Sequence, residues 1–300
     1  MLTASLLLVA TMLASPGGGD TKSKPPIYDE AANATAQVDA AIARAKRDNK
    51  RVLVQWGANW CGWCHLLHEL YAKDAAIGRE LLYEYELVLV DVGRFDKNQE
   101  LMARLEAPVK DHGIPYLTVL DADGKPIVQQ DSGALEAGDH HDPAKVMAFL
   151  KDHAAPQQDA ETVLATALAR AKSEQKLALV HFGAPWCPYC RKLDTWAAGD
   201  DVAKSLGTRA IDVKIDVDRM TNGKAVLARY RKGDEGGIPW FAFIDGAGAV
   251  VATSDGKNGN LGFPTTDEEI TEFDGMLAKA GFADTDRAAL LASLRAFPKR

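Results

Sequence analysis

Cysteine is scarce in this chain of 300 residues: there are four, in two pairs, Cys61/Cys64 and Cys187/Cys190, each pair separated by two residues. Small exported domains held together by disulfides carry more cysteines at wider spacings, so these four are reserved for chemistry. Positive charge is not in excess either. With 35 Lys and Arg against 42 Asp and Glu, the formal net charge is −7, which supplies no basic field for phosphate backbones and argues against a nucleic-acid partner. Apolar runs long enough to cross a bilayer, ~20 residues, are missing as well. The longest near the start, Leu6 to Leu13, breaks at Ser15, Pro16 and three glycines. It has the length of a secretory signal core, although no Lys or Arg precedes Lys22 and Met12 falls where cleavage after Ala14 prefers a small residue. The expectation is a signal peptide over 1–20 and an exported, periplasmic or otherwise extracytoplasmic protein with no stable membrane insertion after processing. A cytoplasmic location is the alternative.

What is present is a repeat. Residues 41–64 laid over 167–190 without a gap match at Ala41, Ala43, Arg44, Ala45, Lys46, Lys50, Leu53, Val54, Gly57, Ala58, Trp60, Cys61 and Cys64. Further on, VDVGRF (90–95) answers IDVDRM (215–220), and GIPYLTVLDADG (113–124) answers GIPWFAFIDGAG (237–248). A chain this long is about right for two domains of ~100–200 residues each, and the repeat makes it a tandem duplication with HAAPQQDA (153–160) as the joint.

Each copy reads alike. Val38, Ala41, Ile42 and Ala45 lie on one helical face, as do Leu164, Leu168 and Ala171. A short apolar run follows, RVLVQWG or LALVHFG, with the brevity of a buried strand. The cysteine pair then opens one helix, and ELVLVDV or AIDVKIDV forms the next strand. A polar helix leads to the Gly-Ile-Pro segment and a hairpin turning at Asp-Gly or Gly-Ala-Gly. The closing helices are capped by Asp142, followed by Pro143, and by Thr266 with Glu269 three residues on. The order α-β-α-β-α-β-β-α implies an α/β fold, a mixed central sheet with helices on both faces. A last amphipathic stretch, 285–297, packs on the second copy.

Three chemistries compete at NWCGWCHLLHEL (59–70). CxxCH is the attachment pattern of a c-type haem, and Cys61, Cys64, His65 and His68 would make a zinc set. The third is a redox-active pair at a helix start. The second copy, WCPYCR, keeps both cysteines and Trp186 but has Arg191 where a haem ligand is needed. One helical turn also presents four ligands poorly to a tetrahedral ion. Inert buried thiols would not be retained twice at one spacing. A helix N-terminus lowers a thiol pKa, because its unpaired N–H groups and dipole favour negative charge. Cys61 and Cys187 are therefore the nucleophiles, and Cys64 and Cys190 displace the product from the mixed disulfide. His65 and Arg191, one turn beyond, either add positive charge beside the thiolate or are solvated helix residues.

WCGWC and WCPYC at a strand-to-helix junction, each followed about fifty residues later by Ile-Pro and a hairpin, resemble the thioredoxin superfamily over nearly all of residues 35–282. The resemblance implies two tandem thioredoxin-like domains, 28–154 and 161–283, a linker at 155–160 and a C-terminal helix over 284–300. It implies a thiol–disulfide oxidoreductase acting on protein disulfides or dithiols and an unidentified redox partner, with no cofactor and no metal. Redox tuning by Gly62-Trp63 and Pro188-Tyr189 follows from it too. So do supporting roles for Trp60 and Trp186 and cis bonds at Ile114-Pro115 and Ile238-Pro239, which base rates alone would make trans. The family's buried acid is replaced by Gln55, which cannot titrate, and by His181, which serves as a base or packs as a hydrogen-bonded core histidine. Tyr116 and Trp240 read as core. A redox-regulated chaperone gripping unfolded chains near Trp63 and Trp240 is the alternative. GDHHDP (138–143), with His140 and His141, and SDGKNGNLGFP (254–264) read as surface loops.

Overall fold

The computed structural model of the chain describes residues 25–231 and 236–298. The expected signal peptide, residues 1–20, lies outside the described residues.

The first lobe opens with α1 (Ala34–Asp48), capped by the Asn33 side chain and ended by Asn49 in the left-handed conformation, and β1 (Arg51–Gly57). Next come α2 (Gly62–Lys73), α3 (Ala75–Glu84), β2 (Tyr85–Asp91) and the short helices α4 (Gln99–Arg104) and α5 (Val109–His112). The hairpin β3 (Tyr116–Leu120) and β4 (Pro126–Asp131) leads to a two-residue pair, β5 (Glu136–Ala137) and β6 (His140–His141), and to α6 (Pro143–Asp152).

The second lobe repeats the plan with α7 (Ala160–Ser173), β7 (Leu177–Gly183), α8 (Pro188–Ala197), α9 (Asp200–Gly207), β8 (Ala210–Asp216) and α10 (Gly223–Tyr230). It continues with β9 (Trp240–Ile244), β10 (Val250–Thr253), β11 (Asp255–Gly256), β12 (Gly259–Asn260), α11 (Asp267–Lys279) and α12 (Asp284–Ala296).

Both sheets have one order, β2-β1-β3-β4 and β8-β7-β9-β10, with the first pair parallel and the others antiparallel. Strand alternation then splits each core in two. Val52, Val54 and Trp56 face α1 and α4, while Leu53 joins Leu67, Ile77 and Phe149 of α2, α3 and α6 on the other face. In the second lobe Ala178, Val180 and Phe182 meet α7 and α10, and Leu177 and Leu179 meet α8, α9, α11 and α12. The fold is the expected one, a mixed α/β sheet with helices on both faces, twice over.

Three details differ from the sequence reading. The single helix expected after each cysteine pair is two, because Asp74 leaves helical geometry and turns its carboxylate onto the Ala76 and Ile77 N–H groups, and Gly199 makes the corresponding break. GDHHDP is not simply an exposed loop: His141 is buried, with a ring nitrogen 3.2 Å from the Trp63 carbonyl, which ties β6 to α2. Nor is SDGKNGNLGFP a free surface loop, since β11 and β12 pair within it and the Asn260 side chain donates to the carbonyls of Gly237 and Pro239.

Polar contacts join the lobes. Arg219 and Glu84 form a buried bidentate pair at 2.8 and 2.6 Å, and Arg219 also reaches the carbonyls of Asp48 and Ala155. Lys214 bridges Asp48 of the first lobe and Asp194 of the second. A cavity of about 810 Å³ lies between them, lined by residues of both lobes and by none of the four cysteines.

Candidate active site

Each cysteine pair sits where a buried central strand hands over to a helix. Cys61 is the N-cap of α2 and Cys187 the N-cap of α8. Each sulfur accepts the backbone N–H of the second cysteine of its pair, at 3.0 and 3.2 Å. The cap position is where unpaired helix donors favour a sulfur carrying negative charge. Cys61 and Cys64 are joined in a disulfide with Cα atoms 5.3 Å apart, and Cys187 and Cys190 are free thiols. All four are buried, while Trp60, Trp186 and Tyr189 around them are exposed.

Opposite each pair lies the Ile-Pro segment, with both peptide bonds cis, Ile114-Pro115 and Ile238-Pro239. Cys61 Sγ is 3.6 Å from the Ile114 carbonyl oxygen, and the Cys187 thiol donates to that of Ile238 at 3.3 Å. The structure thus brings Cys61, Cys64, Ile114 and Pro115 together, and likewise Cys187, Cys190, Ile238 and Pro239.

The tryptophans before the nucleophiles are anchored alike. Trp60 Nε1 donates to the Gly93 carbonyl, and Trp186 Nε1 to Asp218, which also accepts from Tyr83 of the first lobe. His65 and Arg191 share a contact too. A His65 ring nitrogen lies 2.8 Å from the Asn59 carbonyl, and Arg191 donates to that of Pro185 at 2.6 Å. Both brace the segment that leads into the cysteine pair, and His65 is buried rather than a solvated helix residue. Among the described residues no three of His, Cys, Asp and Glu converge as a metal set.

Behind the second cysteine the lobes part. In the first, Gln55 on β1 stands beside Leu89 on β2; in the second, the same register pairs His181 with Lys214. His181 is buried, 3.4 Å from Asp194 and 3.0 Å from Asp212. Burial opposes charge on its ring, but Asp212 and then Asp194 outweigh this and raise its pKa. Burial pushes the Cys190 thiol well up, the Cys187 hydrogen bond adds to that, and Asp194 contributes in the same direction. Lys214, whose own burial opposes its charge, is held charged by Asp48 and Asp194. One first-lobe carboxylate is therefore part of the second lobe's charge cluster.

In the first lobe the neutral Gln55 donates to the hydroxyl of Tyr28, 2.7 Å away. Tyr28 arrives from the segment before α1, which Asn59 fixes by accepting the N–H groups of Ile27 and Tyr28. It packs with Cys61 and Cys64 in one buried cluster. Sequence reasoning missed Tyr28, Asp194, Asp212 and Lys214. Tyr28 precedes the block where the two copies align, and the charged residues lie where the copies differ. Tyr116 and Trp240 are core residues, and Trp240 is fully buried, so no hydrophobic groove opens at that side chain.

A family described as thioredoxin-like matches residues 33–122 and 159–246. Protein disulfide-isomerase 1 of Dictyostelium discoideum is 25% identical over 203 residues, covering 64% of this chain and 52% of that protein. Thioredoxin H4 of Arabidopsis thaliana is 37% identical over 91 residues, 30% of this chain and 69% of that one. This chain therefore spans about half the length of the first of these relatives. Among solved structures, a disulphide isomerase from Xylella fastidiosa Temecula1 is 32% identical, with 42% of this chain and 95% of that chain covered at a TM-score of 0.39.

Proposed function

The chain belongs to the thioredoxin-like family in both of its halves, and from that premise we propose that it is a thiol–disulfide oxidoreductase exchanging disulfides with protein substrates through two centres. The observation that carries this reading is the arrangement found twice: a first cysteine capping a helix, the second cysteine's N–H on its sulfur, and the carbonyl before a cis-proline at 3.6 or 3.3 Å. A cap of this kind favours the thiolate, the reactive form. Cys61 or Cys187 attacks a substrate disulfide, forming one S–S bond as the substrate bond breaks and a substrate thiolate leaves. Cys64 or Cys190 then attacks the mixed disulfide and expels the second thiolate.

The domains we assign are 28–154 and 161–283, joined at 155–160 and followed by the C-terminal helix. The apolar leader Leu6 to Leu13 supports export, and no described helix is long and apolar enough to cross a membrane. Its partners in this reading are proteins bearing disulfides or dithiols and a separate source or sink of electrons. The direction of electron flow follows from the two reduction potentials, which in exchangers of this scaffold run from about −270 to −120 mV.

Insulin reduction driven by dithiothreitol tests the reading. Turnover falls when either Cys61→Ser or Cys187→Ser is made and reaches background in the double variant. Full turnover in the double variant overturns the reading, and suppression of aggregation that the cysteine changes leave untouched, with little turnover, points instead to a chaperone.

A further inference from the structure

The resolving cysteine of the first lobe has to carry charge in a buried site. When the Cys61–Cys64 bond opens, the electron pair goes to Cys64 Sγ, a sulfur with no solvent exposure. A buried thiolate is costly unless a cation or a hydrogen-bond donor faces it. The second lobe gathers His181, Lys214, Asp194 and Asp212 into a charge cluster, of which Asp194 raises the Cys190 thiol further. The first lobe has Gln55 and Leu89 at the first two of these positions, and His68 on the α2 turn that answers Asp194.

One polar group takes their place. A methyl added at Gly57 would collide with the Tyr28 hydroxyl on one side and come within 2.8 Å of Cys64 Sγ on the other. The hydroxyl and the sulfur therefore share one small space, which only glycine at position 57 leaves open. Tyr28 is 2% exposed and its backbone is pinned by Asn59, so the ring is held in place. The hydroxyl oxygen accepts from Gln55 Nε2, and among the described residues no hydrogen bond is found in which the hydroxyl donates. Burial, opposed in part by the Gln55 hydrogen bond, raises its pKa, so the phenol keeps its proton and stays a donor. The second lobe has Ala154 at the corresponding offset.

We propose that Tyr28 is a catalytic residue of the first centre, donating its hydroxyl hydrogen to Cys64 Sγ whenever that sulfur carries negative charge. The inference rests on the exchange reaction proposed above. An incoming thiolate attacks Cys61 Sγ, the new mixed disulfide forms as the Cys61–Cys64 bond breaks, and Cys64 departs as a thiolate onto the Tyr28 hydroxyl. One thiolate is consumed and one is made. The incoming thiol is the reductant, the disulfide is the oxidant, and Tyr28 never gives up its proton. In reverse, the same hydrogen bond lowers the cost of ionising Cys64 for attack.

The test uses the full chain carrying Cys187→Ser and Cys190→Ser, so that only the first pair exchanges. Tyr28→Phe keeps the ring and removes the donor. Loss of one hydrogen bond to a charged group predicts about a ten- to hundredfold slower opening of the disulfide by dithiothreitol, together with a higher pKa for Cys64 in a thiolate titration at 240 nm. Gln55→Leu, which leaves the hydroxyl in place, changes the rate by less than about threefold, below the effect of one such bond. Rates and titrations of Tyr28→Phe equal to those of the parent overturn the assignment. So does an equal slowing of the Cys187/Cys190 pair when Tyr28→Phe is placed in a Cys61→Ser/Cys64→Ser chain, since that marks a general packing defect. If the parent pair itself does not exchange with dithiothreitol, the proposed function falls and this assignment falls with it.

Discussion

The two lobes carry one frame and two chemistries behind it. Caps, tryptophan anchors, cis-prolines and sheet order are shared, and so is the brace from His65 or Arg191 onto the carbonyl six residues earlier. Behind the second cysteine the first lobe places the uncharged side chains of Tyr28 and Gln55, whereas the second holds a buried charge cluster completed by Asp48 of its neighbour. Duplication has kept what positions the sulfurs and changed the groups that lie behind them. The dependence also runs across the boundary, so the second centre is not a self-contained module.

The boldest way to break that view is at the buried Arg219–Glu84 pair, which no homologous pair within one lobe can replace. Removing one member of a buried ion pair leaves an unpaired charge and costs about 3–5 kcal/mol. Glu84→Ala and Arg219→Ala are each expected to lose that much in urea unfolding. Glu84→Leu with Arg219→Leu is expected to recover most of it, since apolar replacements of a buried pair are often neutral. If single variants unfold like the parent, the lobes are independent and the first-lobe contribution to the second centre is dispensable.

A smaller effect should appear at Asp194 and only in the second lobe. Its carboxylate contributes to raising the Cys190 thiol, so Asp194→Asn removes a negative charge facing the resolving sulfur and favours the thiolate. Exchange at Cys187/Cys190, read in a Cys61→Ser/Cys64→Ser chain, is expected to speed up by about three- to tenfold below the pKa, roughly the effect of half to one pKa unit. Restoring the carboxylate as Asp194→Glu brings the rate back toward the parent. The matching change at His68 in the first lobe lacks a charged partner set and should alter the first centre little.

The shared frame could be read in the letters because it repeats: thirteen identities over residues 41–64 and 167–190 mark both strand-to-helix junctions. Caps at Asp142 and Thr266 were legible for the same local reason, a side chain reaching a nearby N–H. What could not be read was tertiary. Tyr28 meets Gln55 across 27 residues of chain and nears Cys64 through the opening at Gly57, and Lys214 meets Asp48 across 166. Neither spacing has a periodic signature. The brace at His65 was not legible either, because its ring meets the Asn59 carbonyl six residues earlier. Trp240 reads as core from sequence, with a groove as the alternative, and its indole settles inside, donating to Asp255.

The smallest expected difference between the lobes is one of pH. His181 has a pKa raised above its ordinary 6.5, chiefly because Asp212 and Asp194 overcome the penalty of burial. The folded state therefore binds this proton more tightly than the unfolded chain. Its contribution to stability is complete below 6.5 and is lost as pH rises through the raised value. Over that window the stability of the second lobe falls by up to about 1.4 kcal/mol per pH unit from this one group. Asp48 and Asp212 act in the opposite sense, being held low, and their contributions are lost only in acid. Cys190, raised as well, joins the fall only where an unfolded thiol ionises, near 9.0. His181→Gln installs the residue that the first lobe has at Gln55 and abolishes the histidine's part of the slope. Urea unfolding of parent and variant between about pH 6 and 8.5, the range in which a histidine proton is exchanged, measures the difference directly: curves that stay parallel would mean that the ring does not hold its extra proton in the folded protein, and that the two lobes are alike in this respect after all.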